Sequence, residues 1–218
     1  MKKLTKLINK LIKRVDFLSN KIDKIYEDKA ICIIGVGGGG CNIVDDIAKL
    51  DNSFNIIHIN SDINALNTKY SGNKIVLGRD IKRGFGCGGQ VSCGRKLFDE
   101  KIKKELLNLI KNNEKIYLVS TLGGGVGSGV IPEILKYLQY IGKDVKVIVT
   151  IPFSFEGKKR KTNAYNSIQD IEKISHEKTN IRVLKNDDLI KKAIDEELSV
   201  KETFLLTSSI IFKMIEKI

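Results

Sequence analysis

The segment ICIIGVGGGGCN, residues 31–42, joins an apolar run to a glycine-rich loop and decides the fold class. The run Ile31–Ile34 is typical of a buried strand, and a helix is predicted to begin near Cys41. Glycines carry no Cβ, so the backbone of this loop can come close to an anion. Free N–H groups and the positive end of the helix dipole would stabilise the negative charge. The segment therefore predicts a phosphate-binding turn, although its string also matches the dinucleotide fingerprint G-x-G-x-x-G.

A second glycine loop, GGGVGSG at residues 123–129, also follows an apolar run and also opens a predicted helix. A dehydrogenase uses one glycine-rich turn for its pyrophosphate, whereas two neighbouring turns can enclose a chain of phosphates from both sides. The second loop therefore favours a polyphosphate ligand. The dinucleotide alternative is supported only by residues 35–40 and by Asp62, which lies near the end of the next predicted strand.

A third glycine cluster, GFGCGG at residues 84–89, lies between these two loops and follows Arg83. Glycine-rich stretches are often turns without a ligand, because glycine supplies the positive φ angles that turns need. Two interpretations stay open for this cluster: a flexible loop, or a third wall of the phosphate site.

Beyond residue 30, short β-branched runs alternate with helical patterns. Strands are predicted near residues 31–36, 55–60, 74–77, 115–121, 145–151 and 181–184. Helices are predicted near residues 41–50, 92–112, 128–141, 158–176, 187–196 and 202–218. The runs are apolar on both faces, which is typical of a parallel sheet with helices on either side. The predicted fold class is α/β, a Rossmann-like parallel sheet flanked by helices, with its main domain over residues 30–200.

Residues 1–29 carry nine Lys or Arg against four Asp or Glu and show an apolar stripe at spacings of three and four. This pattern predicts an N-terminal basic amphipathic helix. Its stripe could pair as a short coiled coil, lie on an anionic membrane surface, or pack on the body of the same chain. We therefore expect a membrane-surface or protein contact through residues 1–29, or intramolecular packing.

The formal charge of +12 and the pI near 9.4 suit a nucleic acid, an anionic membrane or a polyphosphate ligand. Charge alone does not choose among these partners. The basic N-terminal arm has only Phe17 and Tyr26 as aromatic residues, which is too few for a base-stacking platform. No specific nucleic acid partner is predicted.

The longest apolar runs, Ile31–Val36 and Val145–Phe153, fall short of the ~20 residues that a bilayer helix needs. The N-terminus has no signal-peptide core, so we expect a cytoplasmic protein. The four cysteines lack metal-ligand spacing and are predicted to be reduced, and no metal site is predicted. His58 and His176 are predicted to be structural. Asp45 and Asp46 are placed in the first turns of a predicted helix, where acidic residues complement the helix dipole.

Six segments together resemble the successive nucleotide loops of FtsZ, the prokaryotic relative of tubulin. They are GVGGGGCN (35–42), NSDINAL (60–66), KRGFGCGG (82–89), GGGVGSG (123–129), PFSFEGKKR (152–160) and KNDDLI (185–190). The resemblance runs from about residue 30 to the C-terminus and keeps the family order. It implies a GTPase that holds GTP or GDP, with Mg²⁺ accompanying the nucleotide. It also implies a role in cell division, with head-to-tail self-association into filaments or association with a full-length FtsZ-type partner at the division site.

The resemblance also implies a role for each matching residue. The phosphates would be held by Gly37, Gly38, Gly39, Gly40, Cys41, Asn42, Gly123, Gly124, Gly125, Val126, Gly127, Ser128 and Gly129. The terminal phosphate would face Gly86, Gly88 and Gly89. Asn60, at the end of the second predicted strand, and Asp62, just after it, would also bind the nucleotide. Glu156 would accept the ribose hydroxyls, Arg160 would lie near the phosphates, Asn186 would contact the guanine edge and Phe204 would stack on the base. Each role suits the chemistry of its side chain.

Two positions depart from the family pattern. Ser208 stands where the family carries an aspartate that reads the guanine N1 and N2 donors, which weakens the expected preference for guanine. Val126 stands where FtsZ commonly has a threonine, so the phosphate loop loses one hydroxyl and keeps its backbone donors. We still expect GTP to bind in preference to ATP.

The chain ends at Ile218, inside what the family resemblance identifies as the central helix at 201–218. We therefore expect the acidic loop that follows this helix, and the second domain, to be absent. In the family those acidic residues act across a subunit contact, so hydrolysis would be completed only by acidic residues from another chain. Two functions stay open: a component of nucleotide-dependent filaments, and a non-hydrolysing regulator or cap of FtsZ-type filaments.

Overall fold

The computed structural model describes residues 31–79, 86–176, 179–195 and 197–216. The predicted N-terminal helix at 1–29 and the start of the third glycine cluster lie outside the described residues. Within them, no helix is both long and apolar enough to cross a bilayer.

Six parallel strands form one sheet in the described chain: β1 (Ile31–Val36), β2 (Asn55–Asn60), β3 (Asn73–Val76), β4 (Lys115–Thr121), β5 (Asp144–Ile151) and β6 (Asn180–Lys185). Their spatial order is β3-β2-β1-β4-β5-β6. Every pairing is parallel, which confirms the predicted fold class. The order reverses between β1 and β4, where Val36 pairs with Ser120. In open parallel sheets, ligands bind outside the carboxyl ends of the strands at such a reversal.

Eight helices are described: α1 (Gly37–Leu50), α2 (Ile63–Asn67), α3 (Val91–Lys96), α4 (Glu100–Ile110), α5 (Gly125–Tyr140), α6 (Lys158–Ile174), α7 (Asp187–Asp195) and α8 (Val200–Glu216). Alternate residues of β1 show how the helices cover both faces of the sheet. Cys32, Ile34 and Val36 belong to a core shared with α4, α5 and α6. Ile33 belongs to a second core shared with α1 and α8. A central strand buried on both faces explains the uninterrupted apolar run in the sequence.

The helix boundaries differ from the sequence prediction in a consistent way. Both α1 and α5 begin inside their glycine loops, so the loop glycines form the first helical turn. The single helix predicted at 92–112 is two helices, because Leu97 and Phe98 turn into the core and the Asp99 side chain accepts a hydrogen bond from Ile102 N. A side-chain acceptor at this position starts a new helix. Helix α2 and a short 3₁₀ turn at Ser154–Glu156 were not predicted.

The cysteines separate into two kinds. Cys32 and Cys41 are buried free thiols, as predicted. Cys87 and Cys93 form a disulfide, so the prediction that all four are reduced was wrong for this pair. Their Cα atoms lie 5.8 Å apart, because the third glycine loop folds back onto the start of α3. The six-residue spacing of Cys87 and Cys93 in the sequence did not indicate that the two side chains meet.

Candidate functional site

The first and second glycine loops touch each other at the carboxyl ends of the neighbouring strands β1 and β4. A Cβ placed on Gly37 would lie 2.8 Å from the backbone nitrogen of Gly127. The hydroxyl of Ser120, on β4, donates a hydrogen bond of 2.9 Å to the carbonyl oxygen of Val36, on β1. The sequence predicted that each loop follows a strand. Because the two strands are neighbours in the sheet, the two loops form one site.

The loops are closed on their protein side and open on the other. A Cβ on Gly39 would lie 1.9 Å from the hydroxyl oxygen of Thr121, and a Cβ on Gly40 would lie 2.5 Å from the Val119 carbonyl oxygen. A Cβ on Gly38 or Gly124 would meet no atom within 4 Å. The close contacts fix the backbone in position, and the open side leaves room for a ligand.

Helices α1 and α5 both begin at this point, and neither has a side-chain cap in the described structure. Their N-cap residues are Val36 and Gly124. The first N–H groups of a helix have no partner within the helix and carry its positive dipole end. Two helix N-termini that converge without a cap form a binding site for an anion.

The described part of the third loop packs against the second. Gly86 N donates to the carbonyl oxygen of Ser61 at 3.3 Å, which anchors the loop to the end of β2. A Cβ on Gly125 would lie 2.9 Å from both the Cβ of Cys87 and the nitrogen of Gln90. A Cβ on Gly88 or Gly89 would meet no atom within 4 Å. The third loop is therefore a wall of the same site.

Asn163 on α6 links two of the loops, and sequence reasoning missed it. Its amide nitrogen lies 3.3 Å from the carbonyl oxygen of Gly89 and 3.2 Å from that of Gly123. One side chain thus holds the second and third loops in register. A single amide within a polar helix has no pattern by which the sequence could reveal this role.

The side chains of several predicted phosphate residues support the loop. Ser128 accepts a hydrogen bond of 2.7 Å from Gly123 N through its hydroxyl, and its carbonyl oxygen accepts one from Ser167. Val126 is buried in the core that α5 shares with the sheet. Gly129 lies where a Cβ would be 2.3 Å from the carbonyl oxygen of Val91.

Cys41 also points into the interior. Its thiol donates to the carbonyl oxygens of Gly35 and Ile59, at 3.3 and 3.6 Å. Burial raises the pKa of this thiol to about 12, so it stays protonated at neutral pH. A protonated thiol in this position ties α1 to the sheet and carries no nucleophilic chemistry.

On the side of the site formed by the end of β2, the predicted polar residues bind backbone groups. The Asn60 amide oxygen accepts a hydrogen bond from Ser61 N. Asp62 caps α2 by accepting from Ala65 N at 3.0 Å. The Asn42 amide oxygen accepts from the ammonium group of Lys69 at 2.5 Å, which brings a cation that the sequence analysis did not single out to the edge of the site.

Glu156 and Arg160 lie together on the far side of the second loop. One carboxylate oxygen of Glu156 accepts from Phe153 N at 2.9 Å, and the other lies 2.5 Å from the Arg160 guanidinium. Arg160 also lies against the second loop, since a Cβ on Gly123 would be 3.0 Å from its carbonyl oxygen. The predicted ribose and phosphate residues are thus adjacent.

Asn186 and Phe204 form the end of the site beyond β5 and β6. Asn186 is 3% exposed, and its amide oxygen has no hydrogen-bond partner among the described residues. A buried acceptor without a partner is costly, so a ligand donor at this position would stabilise the structure. The Phe204 ring is 45% exposed and meets the ring of Phe153 edge to face at 5.8 Å. An exposed aromatic face can stack on a heterocyclic base, and an unpaired amide oxygen can accept a hydrogen bond from a donor on its edge.

Ser208 and the two acidic residues of α1 differ from what the sequence suggested. Because α1 begins at Gly37, Asp45 and Asp46 lie beyond its first turn, so dipole complementarity does not explain them. The Asp45 carboxylate accepts from Tyr70 N at 2.6 Å and pairs with Lys49 at 2.8 Å. The Asp46 carboxylate accepts from the Ser208 hydroxyl at 2.9 Å. Both carboxylates join α1 to other parts of the chain.

Comparison with known proteins matches residues 30–194 to the Tubulin/FtsZ family, GTPase domain. The chain is 29% identical over 204 residues to cell division protein FtsZ 1 of Pyrococcus woesei, which covers 92% of the chain and 54% of that protein. It is 34% identical over 182 residues to the cell division protein FtsZ of Mycoplasmopsis pulmonis, covering 83% of the chain and 45% of that protein. The chain spans about half the length of the curated relatives it matches.

Among solved structures, an empty FtsZ dimer of M. jannaschii superposes with a TM-score of 0.74 and 26% identity over 85% of the chain and 52% of that structure. A GTPγS-bound protofilament of CetZ2 from Haloferax volcanii has the same fold, with a TM-score of 0.74 and 21% identity over 85% of the chain and 56% of that structure. The converging glycine loops, the six-stranded parallel sheet and these matches agree. The chain therefore belongs to the Tubulin/FtsZ family and carries its N-terminal GTPase domain.

Proposed function

We propose that the chain binds GTP and GDP between its glycine loops and assembles into, or joins, nucleotide-dependent filaments of the cell division machinery. One observation carries the nucleotide part of this proposal. Two uncapped helix N-termini meet at neighbouring strands, with the backbone of Gly37 against that of Gly127. Such an arrangement provides many N–H donors for a chain of phosphates. At Gly37 it leaves no room for a side chain.

The residues around the site would make the contacts with the phosphates, the base and the ribose. The phosphates would accept hydrogen bonds from the first turns of α1 and α5, with Gly88 and Gly89 beside the terminal phosphate. Phe204 would stack on the base, and the unpaired amide oxygen of Asn186 would accept from a donor on its edge. Glu156 would accept the ribose hydroxyls, because its carboxylate is held at the site by Phe153 N and by Arg160.

A magnesium ion would be held through the nucleotide. No group of three potential metal ligands occurs among the residues that the structure describes. Mg²⁺ commonly keeps several waters and binds through substrate phosphates and one or two protein oxygens, so such a site needs no preformed cage. The described residues fit an ion that arrives with the triphosphate.

Gly124 provides a sharp test of the phosphate site. Its backbone angles, φ −85° and ψ 165°, suit any residue, and a Cβ there would meet nothing within 4 Å. Asp or Asn at this N-cap position should preserve the fold, because both cap helices well. The carboxylate of Gly124→Asp would repel a phosphate, whereas the amide of Gly124→Asn has nearly the same size without the charge.

We expect Gly124→Asp to bind GTP at least about tenfold more weakly than Gly124→Asn, a difference of about 1.4 kcal/mol. Calorimetric titration measures the affinities, and thermal unfolding without ligand checks that both variants fold. For the parent chain, GTP at 100 times its dissociation constant should add about 2.7 kcal/mol of stability, while ATP and NAD at the same concentration should add less. Equal GTP affinities for the two variants, or stabilisation by NAD alone, would contradict the proposed function.

The filament part of the proposal is supported by the relatives. One similar solved structure is an FtsZ dimer and another is a protofilament of CetZ2. A head-to-tail contact that does not close into a ring generates an open filament. We propose such a contact for this chain, with itself or with a full-length FtsZ.

Hydrolysis, in this proposal, is completed only by acidic residues from another chain. Two described carboxylates near the phosphate loops are already engaged. Asp62 caps α2, and Glu156 binds Phe153 N and Arg160. Neither contact positions an attacking water, and that positioning is a large part of catalysis in such enzymes.

A further inference from the structure

We propose that Asp46, held in place by Ser208, is the residue that selects guanine in this chain. The inference rests on the proposed function, because it assigns the base specificity of the same nucleotide site. It starts from a contact that the sequence did not suggest. The hydroxyl of Ser208 on α8 donates a hydrogen bond of 2.9 Å to a carboxylate oxygen of Asp46 on α1.

Ser208 itself is poorly suited to read a base. It is 2% exposed, and its single hydroxyl proton has two acceptors within reach, the Asp46 carboxylate and the Phe204 carbonyl oxygen at 3.2 Å. The Asp46 side chain, in contrast, is 24% exposed. Ser208 therefore orients the Asp46 carboxylate, and this carboxylate is the group that a ligand can reach.

Asp46 lies between the phosphate loops and the stacking ring. On α1 it follows Asn42 by one helical turn, so both side chains lie on the same side of the helix. On α8 its partner Ser208 follows Phe204 by one turn. A base stacked on Phe204, with its phosphates on the first turn of α1, would extend along this face of α1 and bring its edge towards Asp46.

The surroundings of Asp46 leave its charge available. Its other carboxylate oxygen lies 3.7 Å from the ammonium group of Lys49, which makes a shorter contact of 2.8 Å with Asp45. That lysine is half exposed, so water weakens its attraction for Asp46. The Asp46 carboxylate thus keeps unused acceptor positions.

A carboxylate at this place discriminates between purines. Guanine presents two neighbouring donors, N1–H and the N2 amino group, and a carboxylate offers two acceptor oxygens. Adenine presents an unprotonated N1 and no 2-amino group, so it would leave the carboxylate facing an acceptor. Sites built to hydrogen-bond a ligand reject analogues that lack the partner, because the buried polar groups are left unpaired.

The test compares four nucleoside diphosphates, GDP, IDP, XDP and ADP, on the parent chain, Asp46→Asn and Asp45→Asn. Titration calorimetry at one salt concentration gives each dissociation constant. IDP lacks the 2-amino group and XDP carries a carbonyl oxygen in its place. The amide of Asp46→Asn can accept from N1–H while donating to that oxygen. Asp45→Asn makes the same chemical change on the same helix, but at a carboxylate that faces Tyr70 N.

We expect the parent chain to bind GDP at least about tenfold more tightly than IDP, since hydrogen bonds to charged groups contribute on the order of 10- to 100-fold. Asp46→Asn should weaken the binding of GDP by a similar factor and strengthen the binding of XDP. The ratio of the two affinities should then invert or approach one. Asp45→Asn should keep the parent ratio.

The outcomes separate this inference from the proposed function. A parent chain that binds GDP and IDP equally, or an Asp46→Asn variant that keeps the parent ratio of GDP to XDP, overturns the role of Asp46 and leaves nucleotide binding intact. A parent chain that binds none of the four overturns the proposed function itself. The GDP and IDP comparison needs no variant, so the inference stays testable if Asp46→Asn does not fold.

Discussion

At the scale of single residues, the buried polar side chains decide how this domain responds to pH. His58 lies on β2 and is fully buried, with its Nε2 at 2.9 Å from the carbonyl oxygen of Ser71. Burial lowers the pKa of His58, and the hydrogen bond to Ser71 and the charge of Asp45 oppose this only in part. The folded chain therefore keeps this imidazole neutral at pH values where the unfolded chain binds a proton.

We predict that the ligand-free chain loses stability as the pH falls below about 6.5, the ordinary pKa of histidine. In that range the unfolded state binds more protons than the folded state, so the free energy of unfolding decreases with decreasing pH. Urea denaturation at pH 7.5 and 5.5 measures the effect. His58→Gln, whose amide can still donate to Ser71, should remove most of this decrease.

His176→Gln is the matched control, because His58 and His176 are the two histidines of the chain and His176 is exposed. It should keep the decrease seen in the parent. A His58→Gln variant with an undiminished pH response would show that other groups control it.

At the scale of elements, the third glycine loop is held to α3 by the disulfide between Cys87 and Cys93. The same loop packs on the second glycine loop at Gly125 and is bound by Asn163. The disulfide therefore restrains one wall of the proposed nucleotide site. It closes a short loop, with a sequence separation of 6.

We predict that reduction by dithiothreitol lowers the free energy of unfolding by about 2 kcal/mol, the effect expected for closing so short a loop. Urea denaturation of the oxidised and the reduced chain measures the difference. Cys93→Ser should match the reduced parent and should not respond to dithiothreitol. If the parent and Cys93→Ser respond alike, the disulfide does not form in solution.

Elements also show what the sequence could predict. The runs Ile31–Val36 and Lys115–Thr121 predicted their strands, because a strand buried on both faces leaves an unmistakable apolar run. The break between α3 and α4 was missed, since Leu97 and Phe98 continue the apolar pattern of a helix while turning into the core. Helix α2 is only five residues long and lacks a periodic pattern.

The spacing of the glycines and the family resemblance predicted the backbone loops of the candidate site. The described loops lie together, as these two signals indicated. The contacts of Asn163, Lys69 and Asp46 depend on which segments become neighbours in space, and no local pattern encodes that. The assignment of Asp46 to the helix dipole was wrong because the helix begins earlier than its apolar periodicity suggests.

At the scale of the whole molecule, the proposed filament makes the nucleotide part of a contact between chains. We predict that GTP increases the light scattering of the parent chain, alone or mixed with a full-length FtsZ, and that Gly124→Asn responds more strongly than Gly124→Asp. Gly124→Asp should not respond to GTP, because its carboxylate excludes the phosphates. Pelleting by ultracentrifugation checks that the scattering reports filaments.

Phosphate release tests the catalytic part of the same proposal. The parent chain alone should release phosphate slowly, and addition of a full-length FtsZ should raise the release beyond the sum of the two separate rates. An additive rate would contradict completion of the site by another chain. Fast release by the parent chain alone, at a rate proportional to its concentration, would show that its own residues suffice.

The contacts made by the loop glycines also govern how this domain tolerates mutational drift. At Gly37 and Gly40, and at Gly94 of α3 where it packs on the second loop, an added methyl group would collide with backbone atoms of another segment. Every residue type has the same backbone atoms, so no second substitution can remove these clashes. Harmful substitutions at these positions therefore have no simple suppressor. Gly39 differs, because the obstacle is the side chain of Thr121, whose Cβ alone would lie 2.8 Å away, so Thr121→Gly is the change that would restore the space. In a selection for revertants, substitutions at Gly37, Gly40 and Gly94 should therefore revert to glycine. A compensating substitution, at Thr121, is expected only for changes at Gly39.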